Sequence, residues 1–408
     1  MATAYIFYFH WPSFMAITRL LYAFVEMTSF TAIIILLAVK IICSAAVYVG
    51  IVTTTSLDGA IYGTVILERI FLFLGVYIAI SGIIATVFTT GRHIHRRFID
   101  DAVTIGEVYD LAHVMLNLDS EPPSTWNNMG YWAPPVDSST VPDFKLAAKS
   151  LATKLSDAAR LNPADTIIDV GIGCGDQSVL YSRLVGKYIG ITSLQVHSDL
   201  AYTALKKRGL LGNTRILTLD ASDPLTTWPT EILNSTMVDG RVNKILALDC
   251  LYHFQPSRKK FFKFVNGALE CAFENRIQSG DGGEVCFAAE DLLAGRQLNF
   301  SQWLRLQVIC ALARTPFKNF ISMQEYMTLL EDSGFTRESG WNVQFEDISD
   351  HVFPGLTNFI EIRGSGRDGI GKYLRFDRFS VFGKVIRWWQ DDGVVKAYIV
   401  TLQKGNGM

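Results

Sequence analysis

The sequence predicts an α/β protein with a mostly parallel sheet, preceded by two transmembrane helices. Two observations support this prediction. Long apolar runs occur near the N-terminus, and short β-branched segments alternate with helical patterns from Asp165 onward. At 408 residues the chain is long enough for more than one structural unit.

The predicted spans are Phe30–Val52, in which Lys40 is the only charged residue, and Ile70–Phe88, which carries no charge. A helix needs about 20 apolar residues to cross the hydrocarbon core, so both runs are long enough. The hydrophobic fraction of 49% and the mean hydropathy of +0.23 fit a membrane component. A pair of buried core helices is the alternative interpretation.

The segment Gly91–Arg97, with three arginines, follows the second span directly. The positive-inside rule therefore predicts a cytosolic domain after it. The aromatic stretch Tyr5–Met27 is interpreted as an interfacial helix, with a third span as the alternative. We expect an integral membrane protein of the endoplasmic reticulum or another internal membrane, with an anchor over residues 1–98. The net charge of -2 predicts no nucleic-acid partner, and the oligomeric state stays open.

Residues 99–145 contain a proline-rich stretch and are expected to form a linker and a lid. Beyond them, the patterns predict one helix from Phe144 to Ala158 and then alternating strands and helices. The five predicted strands are listed in order: Thr166–Val170, Lys187–Thr192, Arg215–Leu219, Lys244–Leu248 and Glu284–Ala289.

The first of these strands is followed by a glycine-rich turn, within the sequence TIIDVGIGCGDQ of Thr166–Gln177. Glycines in such a turn allow a ligand to approach the backbone, and the helix that follows offers unpaired N–H groups. Dinucleotide sites favour G-x-G-x-x-G. Here Asp176 stands where the last glycine would fall, and its charge would repel a pyrophosphate.

The pattern D-V-G-x-G-x-G resembles motif I of class I methyltransferases, which use S-adenosyl-L-methionine. The resemblance covers about Tyr109 to Lys404. It implies a Rossmann-like, seven-stranded domain over residues 146–408 with a capping insert at about 295–322. It also implies a set of cofactor-binding residues: Asp169, Gly171, Gly173, Gly175, Thr192, Ser193, Asp220, Ala221 and Asp249.

One departure concerns the second strand, which ends in GITSLQVHSDLA without the acidic residue that binds ribose hydroxyls in many of these enzymes. This looks like the branch of sterol, tocopherol and cyclopropane-lipid methyltransferases. A glutamine often follows in that branch, at a position that His197 occupies here, and Gln195 lies two residues earlier. Thr192 and Ser193 are the remaining candidates for ribose contacts.

One further segment resembles that branch, and two resemble the C-terminal part of the class I family. The sequence WNNMGYW of Trp126–Trp132 is expected to fold over the cofactor and acceptor as a lid, with a surface loop as the alternative. The segments Glu346–Leu356 and Ala397–Gly405 are expected in the hairpin region of the last two strands.

His253 follows the fourth strand and is the leading candidate for a general base, because the pKa of histidine suits proton transfer near neutral pH. Tyr252 is a second catalytic candidate, and Glu290 is a weaker one. The alternative for His253 is stacking or hydrogen bonding within the site. The six cysteines show no metal-like spacing, so no metal site is predicted.

These observations predict a membrane-anchored methyltransferase for a lipophilic acceptor such as a sterol, a terpenoid or another lipid. The apolar helix pattern of Leu298–Phe320 favours such an acceptor, although core packing explains it equally well. Three alternatives stay open. They are a tethered methyltransferase for a small soluble amine or hydroxyl metabolite, a catalytically silent binding protein and an NAD-dependent oxidoreductase.

Overall fold

The computed structural model describes residues 116–117, 124–132, 143–280, 283–313, 315–365 and 379–405. Both predicted transmembrane spans and the predicted interfacial helix lie outside these residues. Within the described part of the chain, no helix combines the length and the apolar character that a bilayer crossing requires.

Seven strands form one sheet in the order β3-β2-β1-β4-β5-β7-β6. Strands β1 to β5 pair in parallel, and β7 runs antiparallel to both of its neighbours. The strands are β1 Thr166–Val170, β2 Lys187–Thr192, β3 Thr214–Thr218, β4 Lys244–Leu248, β5 Val285–Ala294, β6 Asn342–Asp347 and β7 Val395–Lys404. The predicted mostly parallel seven-stranded α/β fold is confirmed.

Helices cover both faces of this sheet. In the described residues they are α1 Phe144–Ala158, α2 Asp176–Tyr181, α3 Gln195–Lys207, α4 Pro224–Thr227, α5 Thr230–Met237, α6 Lys259–Gln278, α7 Phe300–Ala313, α8 Met323–Glu331, α9 Ser349–Ser365 and α10 Phe379–Asp392. Short 3₁₀ turns lie at Leu211–Asn213, Leu251–His253 and Phe317–Asn319.

The local sequence accounts for where these elements begin and end. Strand β4 reads KILAL and is buried along its whole length, as expected of a central parallel strand that is covered on both faces. Helix α1 begins after Asp143, whose side chain accepts a hydrogen bond of 3.0 Å from the Leu146 amide. The predicted α1 face, which includes Phe144 and Leu151, is buried.

Each face of the sheet has its own hydrophobic core. One core joins α1, α9, α10 and the buried side of α7 to residues such as Leu246 and Leu292. The other core joins α5, α6 and α8 to residues such as Ala247 and Leu293. Because side chains alternate along a strand, consecutive residues of β5 point into different cores. Neighbouring side chains of β5 therefore have different surroundings.

The connection between β6 and β7 differs from the prediction of a hairpin region. The two strands are antiparallel neighbours, but α9 and α10 lie between them in the chain. The dipeptide Pro354-Gly355 is typical of a turn, yet here it lies inside α9. The reason is packing: a Cβ at Gly355 would lie 2.2 Å from Cβ and Cγ of Trp132, so the glycine leaves room for the indole.

A buried ion pair joins the connection that follows β4 to strand β5. Arg258 donates through Nη2 to Asp291 Oδ1 at 2.8 Å, and its Nε lies 2.8 Å from Oδ2 of the same carboxylate. Both side chains are fully buried. Arg258 also donates to the carbonyl oxygens of Leu292 and Asn319, and the Tyr326 hydroxyl donates to Asp291 at 3.0 Å. This network holds the 3₁₀ turn Phe317–Asn319 against the sheet.

Replacing Arg258 with methionine should lower the free energy of unfolding by about 3–5 kcal/mol, because it leaves the Asp291 carboxylate buried and unpaired. Urea denaturation of the full chain measures this loss. Arg241→Met is the matched control, since the ion pair of Arg241 with Asp239 is exposed. Equal losses in the two variants would contradict a stabilising role for the buried pair.

Candidate functional site

The three glycines after β1 have positive φ angles of 75°, 56° and 106° at Gly171, Gly173 and Gly175, which are unfavourable for other residues. Their surroundings differ. A Cβ at Gly171 would lie 2.6 Å from Cβ of Cys250, and one at Gly175 would lie 2.4 Å from Cα of Ala201. These two glycines are therefore required for close packing.

Gly173 is different, because a Cβ there would meet only Cβ of Asn127, at 3.7 Å. The backbone at Gly173 is thus loosely packed and has only Asn127 in ordinary contact, whereas the other two glycines are packed tightly against protein. This glycine is the point of the turn at which a ligand can approach the main chain closely.

Asp169, the acidic residue of β1, lies fully buried next to this turn. Its carboxylate accepts hydrogen bonds of 2.8 and 2.9 Å from Gln177 Nε2 and of 2.7 Å from the Tyr188 hydroxyl. Burial raises the pKa of Asp169 to about 7, although both hydrogen bonds act to lower it. These contacts brace α2 and β2, so its predicted part in cofactor binding stays a prediction.

Residues 124–132, called the cover segment below, lie across the glycine turn. At one end, the Thr125 hydroxyl donates to Asp176 at 3.2 Å, and the Thr125 amide donates to the same carboxylate. Further along, the Met129 amide donates to Asp249 Oδ2 at 2.8 Å. The cover segment therefore links the start of α2 to the end of β4. Its part as a lid over the cofactor and acceptor stays a prediction.

The far end of the cover segment is attached to the surrounding helices. The Trp132 amide donates to the His351 carbonyl oxygen at 2.7 Å, and the Trp132 indole N–H donates to the Met129 carbonyl at 2.8 Å. The Tyr131 amide donates to the Ala147 carbonyl at 2.8 Å. Trp126 and Trp132 are buried in the core that includes α1 and α9. These contacts also fit the alternative of a loop that its aromatic side chains fasten to the domain.

The predicted ribose and adenine contacts lie after β2 and β3, whose carboxyl ends share one edge of the sheet with β1. Thr192 is buried, and Ser193 is exposed beside it. Asp220 is exposed, and its Oδ1 accepts a hydrogen bond of 2.8 Å from the Ser222 amide, which is a turn-capping contact. Ala221 is buried. The structure thus places these residues at the expected edge, and their ligand contacts stay predictions.

His197 occupies the position where the resembled branch has glutamine. It is buried on α3, and burial lowers its pKa to about 4. The imidazole is therefore neutral near pH 7.

Asp249 directly follows β4 and has a φ angle of +54°, a strained conformation for a residue with a side chain. Its Oδ1 accepts a hydrogen bond of 2.6 Å from the Tyr252 hydroxyl, while Oδ2 accepts the bond from the cover segment. Burial raises the pKa of Asp249 to about 7. Burial and the nearby Asp249 raise the pKa of Tyr252 well above its usual range.

Glu290 lies on β5 opposite Leu248 and is fully buried. Neither of its carboxyl oxygens has a side-chain hydrogen-bond partner among the described residues, and the Asp249 backbone amide is the one group that acts to lower its pKa. Burial, followed by the charges of Asp249 and Asp291, raises the pKa of Glu290 well above its usual range. A buried carboxyl group without a side-chain partner is costly, and its charged form would be stabilised by a cationic ligand.

His253 lies beside this cluster at the end of the 3₁₀ turn Leu251–His253. Its ring centroid is 4.2 Å from that of Tyr252, and its Nδ1 is 3.3 Å from the Thr315 hydroxyl. The side chain is half-buried. The structure therefore brings Gly173, Asp249, Tyr252 and Glu290 together under the cover segment, with His253 at their border. Sequence reasoning undervalued Glu290, because its lack of a side-chain partner is visible only in three dimensions.

Comparison with known proteins finds similar structures but no similar sequences. The chain matches no known family model and no curated protein sequence. It is similar to the solved structure of the cyclopropane synthase MmaA2 from Mycobacterium tuberculosis, with a TM-score of 0.50 and 14% sequence identity. That match covers 72% of this chain and 95% of the other.

Two further solved structures are similar at slightly lower scores. The cyclase SpnF has a TM-score of 0.49 and 17% identity, covering 74% of this chain and 96% of its own. A geranyl diphosphate methyltransferase bound to GPP and sinefungin has a TM-score of 0.48 and 16% identity, covering 71% and 93%. At these identities the comparisons concern the fold. Together with the strand order, the match to the cyclopropane synthase confirms the predicted class I methyltransferase fold.

Proposed function

We propose that the chain is an S-adenosylmethionine-dependent methyltransferase that acts on a lipophilic small molecule. The observation that carries this proposal is the loosely packed backbone at Gly173 beside the acidic cluster of Asp249 and Glu290. In the proposal, residues 1–98 anchor the enzyme in an internal membrane, with the catalytic domain in the cytosol.

The residues present fit this cofactor. When bound, S-adenosylmethionine supplies an electrophilic methyl group on a positively charged sulfonium. Gly173 would hold it through bare backbone, and the carboxyl groups of Asp249 and Glu290 would compensate its charge. A nearby cation lowers the pKa of a buried carboxyl group. The acidic cluster is therefore suited to a cationic ligand and ill suited to the pyrophosphate of a dinucleotide.

Replacing Gly173 with aspartate should weaken S-adenosylmethionine binding at least ~100-fold, or ~2.7 kcal/mol, because a side chain would fill the ligand's approach. Isothermal titration of the full chain measures this change. Gly209→Asp is the matched control: Gly209 also has a positive φ angle, of 70°, but nothing lies within 4 Å of its Cβ position. The control should bind the cofactor normally.

Normal binding by the Gly173 variant would show that the glycine turn is misassigned. Absence of binding by the unaltered chain would leave the silent binding protein as the better account. Nicotinamide-dependent thermal stabilisation, without any from S-adenosylhomocysteine, would favour the oxidoreductase.

The surroundings of Tyr252 support a lipophilic acceptor over a small soluble one. The Tyr252 ring lies 6.5 Å from that of Phe320, which in turn lies 6.1 Å from Trp389. Phe353 extends this aromatic group, with its ring 6.1 Å from Trp389. Aromatic side chains favour a large apolar molecule over a hydrated one.

Cells that express the chain should accumulate lipid-extract compounds that are heavier by one methyl group than those of cells expressing Gly173→Asp. Mass spectrometry of both lipid and aqueous extracts measures this difference. A methylated product found only in the aqueous extract would instead support the soluble amine or hydroxyl acceptor.

Methyl transfer to an oxygen or neutral nitrogen is assisted by a base, and transfer to an alkene requires a base to remove a proton afterwards. Two residues compete for this role. His253 has a suitable ring but contacts Thr315 and Tyr252. Glu290 is buried in the cluster, and its oxygens have no side-chain partner among the described residues. In the proposal, Glu290 accepts the proton and His253 positions Tyr252.

Glu290→Gln should lower kcat by about 10²–10⁴-fold, because the proton acceptor is lost. Cofactor affinity should fall much less, because Asp249 still compensates the sulfonium charge. Since a base acts when deprotonated and the pKa of Glu290 is raised, the unaltered enzyme should gain activity as the pH rises. Single-turnover rates across a pH series measure both effects. A large loss in His253→Gln, with full activity in Glu290→Gln, would assign the base to His253.

A further inference from the structure

Helix α7 presents an apolar stripe to solvent. Phe300, Trp303, Leu304 and Val308 recur at helical spacing and are between 38% and 76% exposed. Leu306 and Cys310 of the same helix are buried in the core. The four exposed residues are called the α7 outer face below. Contiguous exposed apolar side chains of this kind mark an interaction surface.

Aromatic rings extend this surface toward the 3₁₀ turn that follows α7. Phe300 stacks on Trp303 with ring centroids 5.9 Å apart, and Trp303 meets Phe317 edge-on at 6.1 Å. Exposed tryptophan and phenylalanine are typical of helices that lie at the boundary between lipid headgroups and acyl chains.

The chain segment that contains α7 carries charges of one sign only. Between Gly295 and Phe320 the sequence contains four basic residues and no acidic residue, although the chain as a whole has a net charge of -2. Arg296 and Lys318 are exposed on the flanks. An acidic residue of α10, Asp392, accepts hydrogen bonds from Gln302 Nε2 at 3.2 Å and from the Trp388 indole N–H at 2.8 Å. This local charge is complementary to anionic lipid headgroups.

The segment after α7 leads directly to the acidic cluster. Thr315 contacts His253, and Asn319 Nδ2 donates to the carbonyl oxygens of Tyr252 and Phe254 at 3.0 and 2.8 Å. The surface and the candidate acceptor site are thus connected through one short stretch of chain.

We propose that the α7 outer face lies in the interfacial region of a bilayer that contains anionic lipids. The occupant of this surface is the lipid bilayer itself. This contact is separate from the proposed N-terminal anchor. It orients the domain so that the end of β4 and β5 is next to the lipid, and the delivery of an acceptor by this route rests on the proposed function.

The test uses the full chain reconstituted in vesicles of phosphatidylcholine and phosphatidylserine, with or without brominated acyl chains. Brominated lipid should quench a component of the tryptophan fluorescence that is lost in Trp303→Phe. Because the other tryptophans are present in both proteins, their contribution cancels in the difference. Trp341→Phe is the control, since Trp341 is buried in the other core and its replacement should leave lipid quenching unchanged.

A second comparison removes the apolar stripe. The variant Phe300→Ser/Leu304→Ser/Val308→Ser should lose the quenching of Trp303. The control Val238→Ser/Ile277→Ser, whose residues are 65% and 49% exposed on other elements, should retain it. S-adenosylhomocysteine titration and circular dichroism establish that both variants fold.

Equal quenching of the unaltered chain and Trp303→Phe would overturn the proposal. So would an unquenched Trp303 in a chain whose cross-linked dimers disappear in the triple variant, because the partner would then be a second copy. The proposed function can fail separately. A chain that does not bind S-adenosylmethionine but shows quenching of Trp303 by lipid contradicts the function and supports the docking surface.

Discussion

The candidate site depends on one buried ion pair, Arg258 with Asp291. Transfer of two charges from water into a protein core is costly, and it is compensated here by paired geometry and by the carbonyl and hydroxyl groups that complete the network. Through Asn319, this network reaches the carbonyl oxygens of Tyr252 and Phe254. The conformation of the turn after β4, which carries the candidate catalytic groups, is therefore set from the opposite face of the sheet.

Two adjacent residues of β5, Glu290 and Asp291, have opposite surroundings. Asp291 points into the core of α6 and α8, where Arg258 and Tyr326 satisfy it. Glu290 lies on the opposite face of the strand, like Ala288 and Leu292 in the core that includes Trp132 and α9, and its two oxygens have no side-chain partner among the described residues. The strand thus carries two fully buried carboxyl groups. The charge of Asp291 is compensated by Arg258, and that of Glu290 is not compensated by any such side chain among the described residues. The network around Asp291 stabilises the sheet, and this offsets the cost of burying Glu290, whose charged form is unfavourable without a ligand.

Local sequence was sufficient to predict elements whose signals are themselves local. The bounds of β1, β2 and β4 were predicted correctly, because each is an apolar run that ends at turn residues. Helix α9 was not predicted, because Pro354-Gly355 is typical of a turn. The side chain that explains Gly355 is the indole of Trp132, which comes from a distant segment of the chain. The same limit applies to the glycine turn. The pattern identifies all three glycines, but only the positions of Cys250 and Ala201 separate the two packing glycines from Gly173.

The charge state of the cluster and the position of the cover segment are coupled. Asp249 accepts one hydrogen bond from Tyr252 and another from the Met129 amide, and a carboxylate accepts such bonds more strongly than a neutral carboxyl group does. The raised pKa of Asp249 means that burial alone opposes this ionised form. A cation bound beside Gly173 would favour ionisation and thereby strengthen the contact to Met129. Binding of a sulfonium and retention of the cover segment would then reinforce each other, which excludes water from the site when a positively charged cofactor is present.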